Sequence, residues 1–277
     1  MEARVEIRKL DGNLEVDSSR PVFEIAGENE GNLHVHLVSD LTGLADPVVE
    51  ANTKSPGGRP GQKLLSTRFT ARNIVFRVTI LGDADTIYQR ESAWRSVWSH
   101  TSYTEMSYTV DGVARVIRLR LEGYELDMRH DPAVQGAVDV VMSVVADDPF
   151  WYEADDLKFY PAKAGGVVRE LRGEHGPVFP VLNFSKVSGT GTISVDADGV
   201  SQKFPTPDLR SAASYVADLD PGARQWQSKE DPNVWNRMNG VRYSLEGTEQ
   251  ASRITVSSSF SSGVEVQVAV PYLRPWR

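Results

Sequence analysis

Polar and apolar residues alternate with a period of two over most of the chain, and the alternation is sharpest from Val116 to Glu122. There Ile117, Leu119 and Leu121 face one way while Arg118, Arg120 and Glu122 face the other, which predicts a half-buried strand. The opening segment alternates through Val5 and Ile7 and then Leu14 and Val16. Asp11-Gly12-Asn13 lies between them and predicts a β-hairpin, because Asp-Gly accepts the positive φ of a tight turn. Asn32 to Val38 alternates too and sets His34 and His36 on one strand face. Between Thr42 and Lys63 the pattern breaks at Asp46-Pro47 and again at Ser55-Pro56-Gly57-Gly58-Arg59-Pro60-Gly61. That composition predicts a long loop, read either as a contact with a neighbouring subunit or partner or as a flexible insertion. From Arg68 to Leu81, Phe69, Ile74, Phe76, Val78 and Ile80 restore β character.

The period changes once. After Asp83-Ala84-Asp85, whose charges suit a helix N-terminus, Ile87, Glu91, Trp94 and Trp98 recur at helical spacing beside Val97. One amphipathic helix covering a sheet is predicted, with Glu91 and Arg95 as an i,i+4 pair. Tyr108 to Val116 then forms a hairpin about Asp111-Gly112, Gly123 interrupts its return strand, and Val134 to Val145 supplies the next. That strand runs into Asp147-Asp148-Pro149-Phe150-Trp151-Tyr152-Glu153. Proline cannot donate to a ladder, so the strand stops or leaves the sheet at Pro149, and the aromatic residues after it are expected to fix a corner by burial.

Beyond the corner no helix is predicted. Candidate strands at Phe179–Phe184, Gly191–Val195, Gly199–Phe204, Ser214–Leu219, Val241–Leu245, Arg253–Ser258 and Val264–Val270 are spaced by Asp-Gly, Pro-Gly, Asn-Gly and Ser-Gly turns, as in a β-sandwich. The expected organisation is therefore a first domain over residues 1–153, a linker over 154–165 and a β-sandwich over 166–277. Trp226 to Trp235 reads as a loop or hairpin with two tryptophans, suited to sandwich packing or to docking a glycan or protein.

Composition narrows the chemistry. The 277 residues are 40% hydrophobic and 25% charged, which suits two soluble domains, and without cysteine there is neither a disulfide nor a thiolate metal site. No apolar run near Met1 or elsewhere approaches the roughly 20 residues that cross a bilayer, so neither a secretory leader nor membrane insertion is expected. The net charge of −8 resides wholly in residues 1–153, with 16 basic against 24 acidic residues, while the remainder carries 14 of each. Such a chain lacks the basic footprint of a tight nucleic-acid binder. Two strand histidines without further ligands do not make a zinc site, so no metal or cofactor is expected. Asp147/Asp148 and Asp155/Asp156 are sequence neighbours and point apart on a strand. The serine runs Ser257–Ser259 and Ser261–Ser262 lack a nucleophile elbow. An enzyme is not expected.

The order of the Asp85–Trp98 helix, the Asp111-Gly112 hairpin, the Ala146–Glu153 corner and the closing Val270-Pro271-Tyr272-Leu273-Arg274-Pro275-Trp276-Arg277 resembles the distal tail (Dit) proteins of long-tailed, siphovirus-type bacteriophages. The resemblance spans nearly the whole chain. It implies a mainly β protein, with an N-terminal β-sandwich carrying one α-helix that assembles into a ring, usually a hexamer, and a C-terminal galectin-like β-sandwich. It also implies a virion protein assembled in the host cytoplasm, joining the tail tube to the tail tip or baseplate and forming part of the DNA conduit. The partners implied are the tail tube protein, the tape-measure protein, the tip hub and, in many phages, receptor-binding proteins, with DNA passing through unbound. Ser55, Pro56, Gly57, Gly58, Arg59, Pro60 and Gly61 are then the candidate assembly contact, and Asp148, Pro149, Phe150 and Trp151 the structural corner. Galectins read sugar with a His, Asn, Arg and Trp set on adjacent strands, whereas the one histidine of the second half is His175, placed in a Gly-Glu-His-Gly-Pro turn, so the resemblance does not imply sugar binding. A tail tube subunit with an accessory domain and a carbohydrate-binding module for host-surface glycans are the alternative readings.

Overall fold

In the computed structural model the described residues are 3–55, 57, 60–127, 130–162, 166–172, 174–238 and 240–276. The chain forms two compact units. One runs through Trp151 and takes back Leu273–Trp276, and the other spans Tyr152–Tyr272.

The first unit contains β1 (Arg4–Lys9), β2 (Phe23–Ala26), β3 (Val35–Thr42), β4 (Val49–Lys54), β5 (Lys63–Phe69), β6 (Arg72–Leu81), α1 (Ile87–Ser96), β7 (Thr104–Val110), β8 (Val113–Asp127), α2 (Pro132–Gln135) and β9 (Ala137–Ala146). Seven strands follow the order β2-β1-β7-β8-β9-β6-β3. The long β8 pairs with β7 through Val113–Leu119 and with β9 through Arg120–Asp127. Its register shifts between Leu121 and Gly123, so the predicted interruption at Gly123 is a bulge inside a continuing strand. The Asp111-Gly112 turn has φ of 54° and 76°, as a two-residue hairpin of this hand requires.

Helix α1 lies where the change of period predicts it. The tryptophans of this segment are core: Trp94 of α1 meets Phe23 of β2 edge-on with centroids 5.1 Å apart, and Trp98, two residues beyond the helix end, lies 6.0 Å from Phe76 of β6. Asp83 holds the N-terminal turn through its Oδ1, which accepts from the backbone N–H groups of Asp85 and Thr86. The expected Glu91–Arg95 pair is replaced by contacts to β8. Tyr124 donates its hydroxyl to Glu91 at 2.6 Å, and the Arg95 guanidinium lies 5.3 Å from the Tyr124 ring centroid.

Two elements differ from expectation. The opening hairpin shrinks to a Leu10–Val16 bridge, because Asp11 Oδ1 captures the N–H groups of Asn13 and Glu15 and Leu14 takes φ 64°. β1 pairs instead with β2 and β7. The expected loop from Thr42 to Lys63 contains a strand: β4 pairs antiparallel with β5, and the Pro-Gly run 55–61 is confined to the hairpin's tip.

The second unit contains β10 (Tyr152–Glu153), β11 (Tyr160–Pro161), β12 (Val167–Glu170), β13 (Val181–Ser185), β14 (Thr192–Ala197), β15 (Val200–Pro205), β16 (Ser214–Asp218), β17 (Trp226–Gln227), the 3-10 turn Val234–Met238, β18 (Arg253–Ser258) and β19 (Val264–Gln267). Two antiparallel sheets, β11-β19-β13-β16-β17 and β12-β18-β14-β15, form a β-sandwich. Tyr243 joins them by accepting from Trp226 Nε1 at 2.8 Å and donating to the Pro205 carbonyl. The strand expected at Val241–Leu245 has no ladder, because the Gln225 side-chain amide takes both backbone groups of Tyr243 at 2.8 Å and stands in for a partner strand. Residues 160–161 of the expected linker pair with β19.

Candidate functional site

Three features of the first unit stand out: a clasp at the corner, a projecting hairpin and an uneven distribution of charge.

The clasp centres on Arg72, at the start of β6 and only 2% exposed. Its Nε donates to the Pro149 carbonyl at 2.7 Å and its Nη2 to the Leu273 carbonyl at 2.8 Å. Nη1 reaches the carbonyls of Gly43 at 3.2 Å, Leu44 at 2.6 Å and Ala45. Burial pulls the guanidinium down to about 10, against the opposing fields of Asp46 and Asp148, so it stays charged at neutral pH. Gly43 sits at φ +83°, and a Cβ there would lie 2.0 Å from the Asn73 carbonyl oxygen. The returning segment is held at two further points. Arg115 Nη1 donates to the carbonyls of Arg274 and Trp276, and Arg274 makes a two-pronged pair with Asp46 at 2.7 Å. Tyr108 lies between the Trp151 and Trp276 rings, at 6.4 and 6.1 Å.

At the corner itself, burial falls mainly on Trp151, which is fully buried and donates Nε1 to the Leu44 carbonyl at 3.3 Å. Pro149 is buried, Phe150 half-buried and Asp148 exposed, with Asp148 Oδ1 accepting from the Phe150 N–H. Asp147 binds Arg120 through two hydrogen bonds of 2.6 and 2.7 Å and accepts from the Tyr103 hydroxyl. These bonds hold its carboxyl below the usual range.

Among the described residues the hairpin β4–β5 pairs with no other strand. Its base is anchored where Phe69 meets Phe150 edge-on at 5.1 Å. Val49, Ala51 and Thr53 stand opposite Phe69, Thr67 and Leu64, with Leu65 as the extra residue at a register shift. Glu50, Asn52 and Lys54 stand opposite Arg68, Ser66 and Lys63. One face is therefore apolar and the other charged, yet Val49 is 46%, Leu64 57% and Leu65 53% exposed. Of the expected contact residues, Ser55, Gly57, Pro60 and Gly61 are exposed at the tip. Pro56, Gly58 and Arg59 lie outside the described residues.

Residues 48–69 carry four basic residues against one acidic, so the arm is basic on an acidic body. Part of the body's acid is internal: Glu6, Glu24 and Glu105 are buried beside Arg4 and Arg8, with Arg4 on Glu24 at 3.1 Å and Arg8 on Glu6 at 2.6 Å. Burial raises Glu105 above the usual carboxyl range despite Arg8 and Arg118. In the second unit Asp155 pairs with Lys158, and Asp156 with Arg169 at 3.0 Å, where burial pushes Asp156 up to about 6. These carboxylates hold turns and strands.

His34 and His36 do not share a strand face. His34 occupies a turn at φ 62°, before β3 begins, and His36 Nδ1 lies 3.3 Å from Glu30. Among the described residues no group of three His, Asp or Glu is gathered as a metal site. No helix among them is long and apolar enough to cross a membrane.

No family model matches the sequence. The chain is 28% identical to the minor tail protein Gp27 of Mycobacterium phage L5, over 89% of this chain and 93% of that protein, and 27% identical to Gp27 of Mycobacterium phage D29, over 89% and 92%. Among solved structures, its fold is similar to the Dit protein of phage SPP1, with TM-score 0.52 and 12% identity over 85% of this chain and 92% of that one. It is also similar to a chain of the phage P2 baseplate in its activated conformation with Ca, with TM-score 0.53 and 12% identity over 97% and 98%.

Proposed function

We propose that the chain is a structural protein of the phage virion tail, of the distal tail (Dit) family, and that its first unit closes into a ring, six-membered as the family resemblance implies. The observation that carries this reading is the β4–β5 arm. An isolated two-stranded hairpin is marginal in water, and this one leaves its apolar face exposed. A basic arm on an acidic body gives each copy the means to grip the next head to tail, and a heterologous contact that closes makes a ring. In this reading the ring joins the tail tube and tape-measure protein to the tip hub and to receptor-binding proteins, and its work is assembly rather than turnover. The acidic excess of the body lines the conduit and repels passing DNA.

Negative-stain images and the native mass of the purified chain test the proposal. Closed rings of about six subunits are expected. A monomer at all concentrations would remove the ring, and an open filament would favour the tail tube reading.

A further inference from the structure

The second unit carries a concavity of its own. Trp226 and Trp235, paired in the sequence, have opposite fates. Trp226 is fully buried and packs on Phe184 with centroids 5.3 Å apart. Trp235 follows Val234 in the 3-10 turn. Val234 and Met238 point into the core, while Trp235 stays half-exposed. Of the six tryptophans it alone makes no ring–ring contact among the described residues. It lines a cavity of about 350 Å³ with Pro221, Ala223, Arg224 and Arg242, and no carboxylate lines that cavity. Arg224 and Arg242 are exposed, and neither guanidinium meets a carboxylate among the described residues. The nearby acids are turned into the chain's own turns: Asp220 Oδ1 accepts from the Gly222 N–H at 2.7 Å, and Asp218 Oδ1 from the Asp220 N–H at 2.9 Å.

Arg224 also borders a second cavity, of about 560 Å³, over the outer face of the β13–β16–β17–β19 sheet. Asn183, Ser185, Ser214 and Gln227 present amide and hydroxyl groups there, and the carboxylates of Glu230 and Glu265 beside Lys229 suit this cavity to neutral hydroxyls rather than to an anion. An aromatic ring with two unpaired guanidinia therefore adjoins a strip of hydrogen-bonding groups, and Arg224 stands between them.

We propose that this double cavity binds an acidic saccharide. The Trp235 ring takes the C–H face of an anionic sugar, Arg224 and Arg242 take its carboxylate or phosphate, and the polar strip takes the hydroxyls of the adjoining neutral sugar. Each part has its reason. Guanidinium forks match carboxylate and phosphate geometry, an amphipathic ring face stacks on indole, and cavities of 300–1,000 Å³ suit one or two sugar rings. Uronic acids and sugar phosphates share this chemistry.

Calorimetric titration of the full chain separates them, using a galacturonic acid trisaccharide, mannose 6-phosphate and the neutral maltotriose. One or both acidic ligands should bind at least about tenfold more tightly than maltotriose, with affinity falling as salt rises. Trp235→Ala and the double variant Arg224→Gln/Arg242→Gln should each weaken acidic binding by about tenfold or more, at an unchanged thermal midpoint. Equal affinity for maltotriose, unchanged binding in the double arginine variant, or no heat from either acidic ligand at millimolar concentration would overturn the proposal. Ring formation, read by native mass on the same samples, is independent of every one of these outcomes.

Discussion

Arg72 binds five carbonyl oxygens, from Gly43, Leu44, Ala45, Pro149 and Leu273, and so ties a loop, the corner and the returning C-terminal segment to one strand. Arg72→Ala leaves those carbonyls without a buried donor, and should lower the unfolding free energy by about 3–5 kcal/mol in urea denaturation. Arg72→Lys keeps the charge but not the fork, so about half of that loss should remain. A cost below about 1 kcal/mol for the alanine variant would show that water replaces the side chain. The sequence marks Arg72 only as one basic residue at a strand start, since its partners lie up to 201 positions away and meet only in the fold. Asp156 carries a pH prediction. Its folded value of about 6 lies above the ordinary aspartate value, so the folded state holds the proton more tightly. This group therefore favours folding in acid, and that contribution is lost as the pH rises from about 4 through 6. Asp156→Asn should remove a slope on the order of 2 kcal/mol across that window, measured as the difference between the two chains' unfolding free energies from pH 4 to 7. Parallel curves would mean that Arg169 offsets the burial completely.

At the scale of elements, what is legible follows from how local the cause is. The α1 helix and the Asp111-Gly112 hairpin are fixed by nearby residues, and the structure has both. Leu14 and Val16 alternate as a strand would, but the Asp11 side chain holds the turn open and β2 takes the edge of β1, a competition that alternation does not encode. Gln225 likewise substitutes for a strand at Tyr243, which no periodicity announces. The arm is the instructive case. Pro-Gly punctuation over residues 55–61 reads as a loop, and it hides the alternation of Val49, Ala51 and Thr53 beside it. An arm that packs on its own chain only at its base, where Phe69 meets Phe150, looks like a loop until its pairing is seen. Deleting Ser55–Gly61 should weaken ring assembly while leaving the β-rich circular dichroism unchanged, and Leu64→Ser with Lys63→Glu should weaken it further by removing both the apolar and the basic contact. An unaltered native mass in both variants would take the arm out of the interface.

On the scale of the whole molecule, the second unit is an insertion into the first. The chain leaves after Trp151 and returns at Leu273, and one guanidinium binds the carbonyls of both Pro149 and Leu273, so the two exits of the first unit lie side by side. The sequence places the corner at mid-length, but the closing Leu273-Arg274-Pro275-Trp276 reads from sequence as the end of the sandwich. Its partners Arg72, Arg115 and Asp46 are more than 150 positions distant, and nothing local gives that away. This connectivity makes a specific prediction, because domains inserted at adjacent exits can be removed without opening the host's core. A chain in which a short Gly-Ser linker replaces residues 152–272 should fold, with an unfolding free energy within about 1 kcal/mol of the first unit's own transition in the full chain. A chain stopped at Trp151 should be less stable by about 2–4 kcal/mol, since Arg72 and Arg115 lose buried acceptors and Tyr108 loses the Trp276 ring. If the two arginines carry the strap's effect, the difference between these two chains should fall below about 1 kcal/mol when Arg72→Ala and Arg115→Ala are made in both, because only the Tyr108–Trp276 ring contact and the exposed Arg274–Asp46 pair then remain. A larger difference in that background would assign the strap's effect to the Trp276 ring and the Arg274–Asp46 pair instead.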